Sequence, residues 1–225
     1  MLTKYGKKEW LFTAIISATL SLITLLIASI FKIYALNILS FLLIILWVPF
    51  ALFFRDPYRK IPLDDSLILS PADGVIKDIE IVDCPFSSGN KYKRIGIFLS
   101  VFDVHINRMP LDLTVIDVKY KEGNFHDARS SLASSENESN TILCEAEYKG
   151  EKFNIIIKQI SGAIARRIVS EATPGKRFKR GEKFGMIKFG SRTELYLPNT
   201  EDILIKVSIG DKVYAGNSII ATFKA

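Results

Sequence analysis

Cysteine is scarce in this chain: two in 225 residues, Cys84 and Cys144, at a spacing that suits no metal site. Both read as structural thiols, and no metal is expected. Histidine is equally scarce, with only His105 and His126. Positive charge is less abundant than the formal net +6 suggests, because Lys4, Lys7, Lys8 and Lys32 against Glu9 supply +3 of it. Residues 55–225 carry only the other +3, which is no signature of a nucleic-acid partner. Charge is missing altogether from two 22-residue runs, Trp10 to Phe31 and Ile33 to Phe54, which only Lys32 separates.

Each of those runs exceeds the length that crosses a bilayer core, so residues 1–54 are predicted to form an N-terminal helical membrane hairpin. A secretory leader has one shorter apolar region and a small-residue cleavage site; here a second apolar run follows at once. Lys4, Lys7 and Lys8 before the hairpin and Arg55, Arg59 and Lys60 after it put both flanks on the cytoplasmic side of the cell membrane. The turn around Lys32 is short enough that a re-entrant hairpin and two full crossings both satisfy the pattern. Pro49 is expected to bend the second helix.

From Arg55 onward the composition changes to short Ile-, Val- and Phe-rich runs broken by Gly, Pro, Asn and Asp. Gly74–Ile81, Arg94–Val101, Leu113–Tyr120, Thr141–Tyr148, Lys152–Ile160 and Lys183–Phe189 read as strands, which predicts a mainly β domain, barrel-like or sandwich-like, over residues 55–225. Ile160–Ile168 is expected to be a helical interruption and Ser130–Asn140 a mobile loop. Gly181-Glu182-Lys183-Phe184 and Gly210-Asp211-Lys212-Val213 form a faint repeat, each a turn feeding a strand, as in the hairpins of lipoyl and biotinyl carrier domains.

Four patterns are candidates for chemistry, and each has a plainer reading. Phe189-Gly190-Ser191-Arg192 precedes the strand-like Thr193–Leu197, yet a Gly-Ser pair is most often a turn with a solvated serine. Ser70-Pro71-Ala72-Asp73-Gly74 offers Asp73, a residue type that commonly caps turns. The run from Val101 to Pro110 holds His105 between apolar neighbours, where a histidine is more often structural than a general base. Gln159 to Ile168 carries Arg166 and Arg167, suited to holding a phosphate bidentately or to lying on a solvated face.

Taken with Phe53-Phe54-Arg55-Asp56-Pro57, these patterns stand in the order found in phosphatidylserine decarboxylases. From about the second apolar run to the C-terminus the chain resembles the compact bacterial and archaeal branch of that family. The resemblance implies a proenzyme that cuts itself between Gly190 and Ser191. In that scheme the Ser191 hydroxyl attacks the Gly190 carbonyl, the peptide becomes an ester, and elimination followed by hydrolysis leaves a pyruvoyl cofactor at position 191. The products, residues 1–190 and 191–225, stay associated as a heterodimer or a higher oligomer. The pyruvoyl carbonyl forms a Schiff base with the amine of a phospholipid substrate, phosphatidylserine, and takes the electron pair left by carbon dioxide.

His105 and Asp73 are then the groups expected to deprotonate Ser191, and Arg166 and Arg167 the candidates for headgroup binding. Two positions depart from the family pattern: Arg108 stands where longer relatives have a second histidine, and Ser139 where compact relatives usually have arginine. An archaetidylserine decarboxylase would use the same chemistry. A membrane-tethered lipoyl-like carrier, modified on Lys188, is the non-enzymatic alternative.

Overall fold

The computed structural model describes residues 1–86, 89–127, 130–162, 167–188 and 190–224, and the chain divides into two units, Met1–Pro57 and Tyr58–Ala225. In the first, α1 (Lys7–Phe31) and α2 (Ala35–Phe53) are each long and apolar enough to cross a membrane. Lys32 turns the chain between them in a left-handed conformation (φ 56°), with its N–H donating to the Ala28 carbonyl. Small residues line the helix contact: Ser21 and Ser40 share a hydrogen bond of 2.5 Å, and the Ser17 hydroxyl donates to the Leu43 carbonyl at 2.7 Å. Such bonds satisfy polar groups inside an otherwise apolar pair, while the outward Leu and Ile side chains stay exposed. Pro49 lies within α2. The chain ends of the hairpin pair with each other, Thr3 N–H donating to the Phe54 carbonyl at 2.8 Å and Asp56 N–H to the Met1 carbonyl at 2.7 Å.

The second unit is mainly β. Its strands are β1 (Leu67–Leu69), β2 (Gly74–Asp83), β3 (Lys91–Leu99), β4 (Ile106–Arg108), β5 (Leu113–Lys121), β6 (Ser139–Tyr148) and β7 (Glu151–Ser161). There follow β8 (Ile168–Ser170), β9 (Arg177–Phe178), β10 (Lys183–Ile187), β11 (Ser191–Pro198), β12 (Ile203–Ile205), β13 (Lys212–Val213) and β14 (Ile219–Phe223). The largest sheet has the order β13-β2-β3-β11-β7-β6-β5-β9; two three-stranded sheets have the orders β1-β14-β12 and β4-β10-β8. The outer strands β13 and β9 do not pair with each other, so among the described residues the sheet does not close into a barrel.

Alternation along the strands builds one core. Ile95, Ile97 and Leu99 of β3, Ile155 and Ile157 of β7, and Leu195 and Leu197 of β11 all belong to it and are fully buried. Each such side chain contributes about 1.5–3 kcal/mol on burial. The central strand β11 is covered on its other face too, where Arg192, Glu194 and Tyr196 are buried. The expected turn repeat has a common device: Glu182 accepts from the Lys179 N–H and Asp211 from the Ser208 N–H, each carboxylate binding three residues back at 2.8 Å.

Two expectations need correction. Ser130–Asn140 is not a loop throughout: Ser131–Glu136 forms the short helix α3, capped by the Ser130 hydroxyl accepting from Leu132 N–H at 3.2 Å, and Ser139 already belongs to β6. Its serines and glutamates lack an apolar stripe because α3 rests on a buried ionic group, the Ser134 hydroxyl donating to Glu194 at 2.8 Å. At Ile160–Ile168, Ile160 and Ser161 end β7 and Ile168 begins β8, because both ends are taken up by strand pairing; residues 163–166 lie outside the described residues.

Candidate active site

The junction between two sheets brings His105 to the Gly190-Ser191 bond. Ile106 of β4 pairs with Met186 of β10, and Ile187 N–H donates to the His105 carbonyl at 3.3 Å. β10 ends at Ile187, and Ser191 opens β11 of the large sheet between Leu99 of β3 and Ser161 of β7. Phe189 lies outside the described residues.

His105 is fully buried, with Nδ1 2.9 Å from the Asp103 carbonyl oxygen. A carbonyl only accepts, so Nδ1 carries the hydrogen and Nε2 presents a lone pair. The Gly190 N–H donates to that Nε2 over a long 3.3 Å. Gly190 has φ +63°, a left-handed conformation that glycine adopts without the penalty a side chain would bring. Next to it, Ser191 is fully buried and its Oγ has no hydrogen-bond partner; the same holds for the Oγ of Ser161, its neighbour across the strand pair. Leaving a hydroxyl unsatisfied in the interior costs about 1–3 kcal/mol. The arrangement therefore sets a buried, unpartnered hydroxyl directly after a glycine whose N–H is held by His105 Nε2.

Asp73 is buried as well but committed elsewhere. Its Oδ2 accepts from Arg59 Nη2 at 2.6 Å and its Oδ1 from the Ala215 N–H at 2.8 Å, so its bonds run to neither His105 nor Ser191. Burial raises its pKa above the usual carboxylate value, and this outweighs the opposing pull of the Ala215 N–H and the Arg59 guanidinium; the charge of Asp103 pushes the same way as burial. An ion pair alone would lower it, and the net rise means that desolvation dominates. Arg59 also lies over the Tyr214 ring, 5.4 Å from its centre.

Several residues with no role expected from their sequence context organise the surroundings. Asn107 donates to the Thr193 hydroxyl at 3.1 Å and to the Pro71 carbonyl at 3.3 Å, while Gln159 donates to Asn107 Oδ1 at 2.9 Å and accepts from Asn140 at 3.1 Å. This buried network ties the His105, Asp73 and Ser191 segments together. Asn107 and Gln159 stand inside two of the patterns singled out from the sequence, which was the only signal available. On the opposite face of β11, Arg192 donates from Nη2 to Asp78 at 2.7 Å and from Nε to Glu194 at 2.8 Å. Tyr196 donates to Glu194 at 2.6 Å. Burial depresses the Arg192 pKa, but the two carboxylates together override it and hold the guanidinium above its usual value.

The remaining sequence candidates are placed less tellingly. Arg167 is exposed and Arg166 lies outside the described residues. Arg108 donates to the Gly181 carbonyl at 3.0 Å. Lys188 is only 6% exposed, which does not suit a lysine that must swing a prosthetic arm through solvent. Among the described residues no group of three or more His, Cys, Asp and Glu side chains is placed to hold a metal.

Comparison with known proteins converges on one family. Residues 48–221 match the sequence profile described as phosphatidylserine decarboxylase. The phosphatidylserine decarboxylase proenzyme of Wolbachia pipientis wMel is 47% identical over 173 residues, 75% of this chain and 73% of that protein. The proenzyme of Carboxydothermus hydrogenoformans is 44% identical over 186 residues, covering 83% and 85%, and that of Rhodopirellula baltica 42% over 184 residues, covering 79% and 75%.

Proposed function

The chain belongs to the phosphatidylserine decarboxylase family, and on that premise we propose that it is a self-cleaving carboxy-lyase whose reactive group is made from Ser191. The observation that carries the proposal is the buried, unpartnered Ser191 Oγ beside Gly190, with the His105 Nε2 lone pair touching the same backbone. These residues fit the making of a pyruvoyl group. Ser191 gives its hydroxyl proton to His105 Nε2 as its oxygen bonds to the Gly190 carbonyl carbon. The peptide C–N bond then breaks, nitrogen takes up the proton, and residues 190 and 191 are joined by an ester. Loss of the Gly190 carboxylate from the Ser191 side chain, with its α-proton, leaves a dehydroalanine that hydrolyses to the keto group and ammonia.

A pyruvoyl group at residue 191 supplies a carbonyl that condenses with the substrate amine and draws off the electron pair released with carbon dioxide. His105, fixed at Nδ1 by Asp103, keeps Nε2 available to hold a proton for the carbon that loses its carboxylate. Asp73 is assigned a supporting part, through its charge near Asp103 and through Arg59. Arg167 and Arg166 are assigned to the phosphate of the substrate, phosphatidylserine.

Residues 191–225 are expected to remain bound after cleavage. They contribute β11 to the middle of the large sheet, between β3 and β7, and β14 to the middle of a small one, between β1 and β12. Residues 1–54 are assigned to the membrane and residues 55–225 to catalysis on the cytoplasmic side, the side favoured by Lys4, Lys7, Lys8, Arg55, Arg59 and Lys60.

The test is the intact mass under denaturing conditions of wild type, Ser191→Ala and His105→Ala. Wild type is expected as fragments of residues 1–190 and 191–225, the smaller blocked to N-terminal sequencing, and Ser191→Ala as one uncut chain. His105→Ala is expected to lose at least about a hundredfold in decarboxylation, the scale of general acid–base catalysis. An uncut wild-type chain, or a fully active His105→Ala, would overturn the assignment.

A further inference from the structure

A phospholipid whose headgroup reaches Ser191 keeps its acyl chains in the bilayer, so the protein surface closest to residue 191 has to meet lipid. Among the described residues, the turn Ser100–Asp103, between β3 and His105, offers an exposed apolar surface beside Gly190. Val101 Cγ1 comes within 3.9 Å of the point where a Cβ on Gly190 would lie. Val101 is 41% exposed and Phe102 84%, two apolar side chains facing water beside a reaction centre.

They are held out by a rigid scaffold. Asp103 N–H donates to the Ser100 carbonyl at 2.9 Å, Ser100 N–H donates back to Asp103 Oδ2 at 2.9 Å, and Phe102 N–H donates to the Ser100 hydroxyl at 3.2 Å. The turn therefore cannot fold its apolar tip inward without breaking three bonds. Lys212 pairs with Asp103 Oδ1 and ties a second turn to it, where Ile209 is 65% exposed. Lys77 lies over the Phe98 ring of β3, 5.8 Å from its centre, and Lys212 is held at the base of the turn by Asp103. Exposed apolar tips with lysines on the neighbouring strands β2 and β13 match the layering of a phospholipid interface, acyl chains below and phosphates above.

We infer that the Ser100–Asp103 turn inserts Val101 and Phe102 into the bilayer surface and so seats the active site over its lipid substrate. The inference rests on the functional reading above.

The test uses the full-length chain in nanodiscs of phosphatidylcholine and phosphatidylserine. Phe102→Ser is expected to mature normally and to decarboxylate bilayer phosphatidylserine roughly tenfold less efficiently, through KM, as follows from losing a partly buried aromatic. On dihexanoyl phosphatidylserine below its micelle concentration the variant is expected to match wild type within about twofold, because no interface is involved. Equal losses on both substrates, or none on either, would overturn the inference. A second readout needs no catalysis: in Ser191→Ala/Cys84→Ser, an environment-sensitive dye on Phe102→Cys is expected to be quenched by lipids brominated along their chains, and a dye on Glu151→Cys is not. Unquenched dye at residue 102 would also overturn it. An inactive, uncut wild type would instead count against the functional reading and leave the quenching result to decide the turn by itself.

Discussion

Gly96 offers a sharp test of how the strand that carries Ser191 is held. A Cβ at this position of β3 would lie 2.1 Å from Arg192 Nη2, 2.6 Å from its Cζ and 2.7 Å from Asp78 Oδ1. The guanidinium crosses directly over Gly96 to reach Asp78, and its side chain is only 5% exposed. Gly96→Ala must therefore push Arg192 off Asp78, off Glu194, or off both. Breaking a buried pair costs about 3–5 kcal/mol, and the 22% exposure of Asp78 argues for the lower end, about 3 kcal/mol. For a chain of this size that corresponds to a fall of roughly 6–12 °C in Tm. The assay is thermal unfolding of the detergent-solubilised Ser191→Ala precursor, a single chain in which no fragment can dissociate. The control is the same alanine in an Arg192→Met background, where the guanidinium is gone and only the partly exposed Asp78 carboxylate must turn aside, so that Gly96→Ala is expected to cost clearly less, about 1 kcal/mol. A Tm within 2 °C of the parent, or an equal cost in both backgrounds, would refute the clamp. On the functional reading proposed above, Gly96→Ala is also expected to slow maturation, because Arg192 adjoins Ser191.

Asp73 predicts a pH dependence of known sign. Its folded pKa is raised, so the proton it binds stabilises the fold below the ordinary carboxylate range, and that contribution disappears as pH rises through the folded value. The Tm of Asp73→Asn minus that of wild type should therefore climb as pH rises above the ordinary carboxylate value of 3.8; a flat or falling difference would contradict the burial argument. Cys144 is fully buried on β6 and its thiol is pushed up to about 12 by burial, so N-ethylmaleimide at pH 8 should add one group to the folded chain, at half-buried Cys84, and two after denaturation. Two adducts on the folded protein would count against this packing. Asn107→Leu strands Gln159 and the Thr193 hydroxyl in a dry interior; the expected cost is about 2–4 kcal/mol, visible as a lowered Tm, and an unchanged Tm would mean that the network is dispensable.

Much of the architecture was legible because it depends on local pattern. Unbroken apolar runs marked both helices, since length and absence of charge are properties of consecutive residues. The long strands β2, β3, β5, β6 and β7 were legible to within a few residues at each end, because β-branched runs between turn residues have few other stable conformations. The polar run over α3 misled for the complementary reason: its partner is not an apolar core but Glu194, distant in sequence, and no periodicity announces such a contact. Sheet closure was equally illegible, because it depends on which outer strands find one another.

At the site, residue types and order pointed by resemblance to Ser191, His105, Asp73 and Gly190. Their relations belong to the tertiary structure alone. Only the pairing of β4 with β10 carries His105 to Gly190 across 85 positions of chain. The Asp103 carbonyl selects the histidine tautomer, and the Arg59 guanidinium and Ala215 N–H take up Asp73. A sequence determines by itself what depends on near neighbours: hydrophobic length, strand propensity, turn chemistry. Hydrogen bonds and ion pairs act over about 3 Å, so which groups share them is decided only when folding has brought distant segments together.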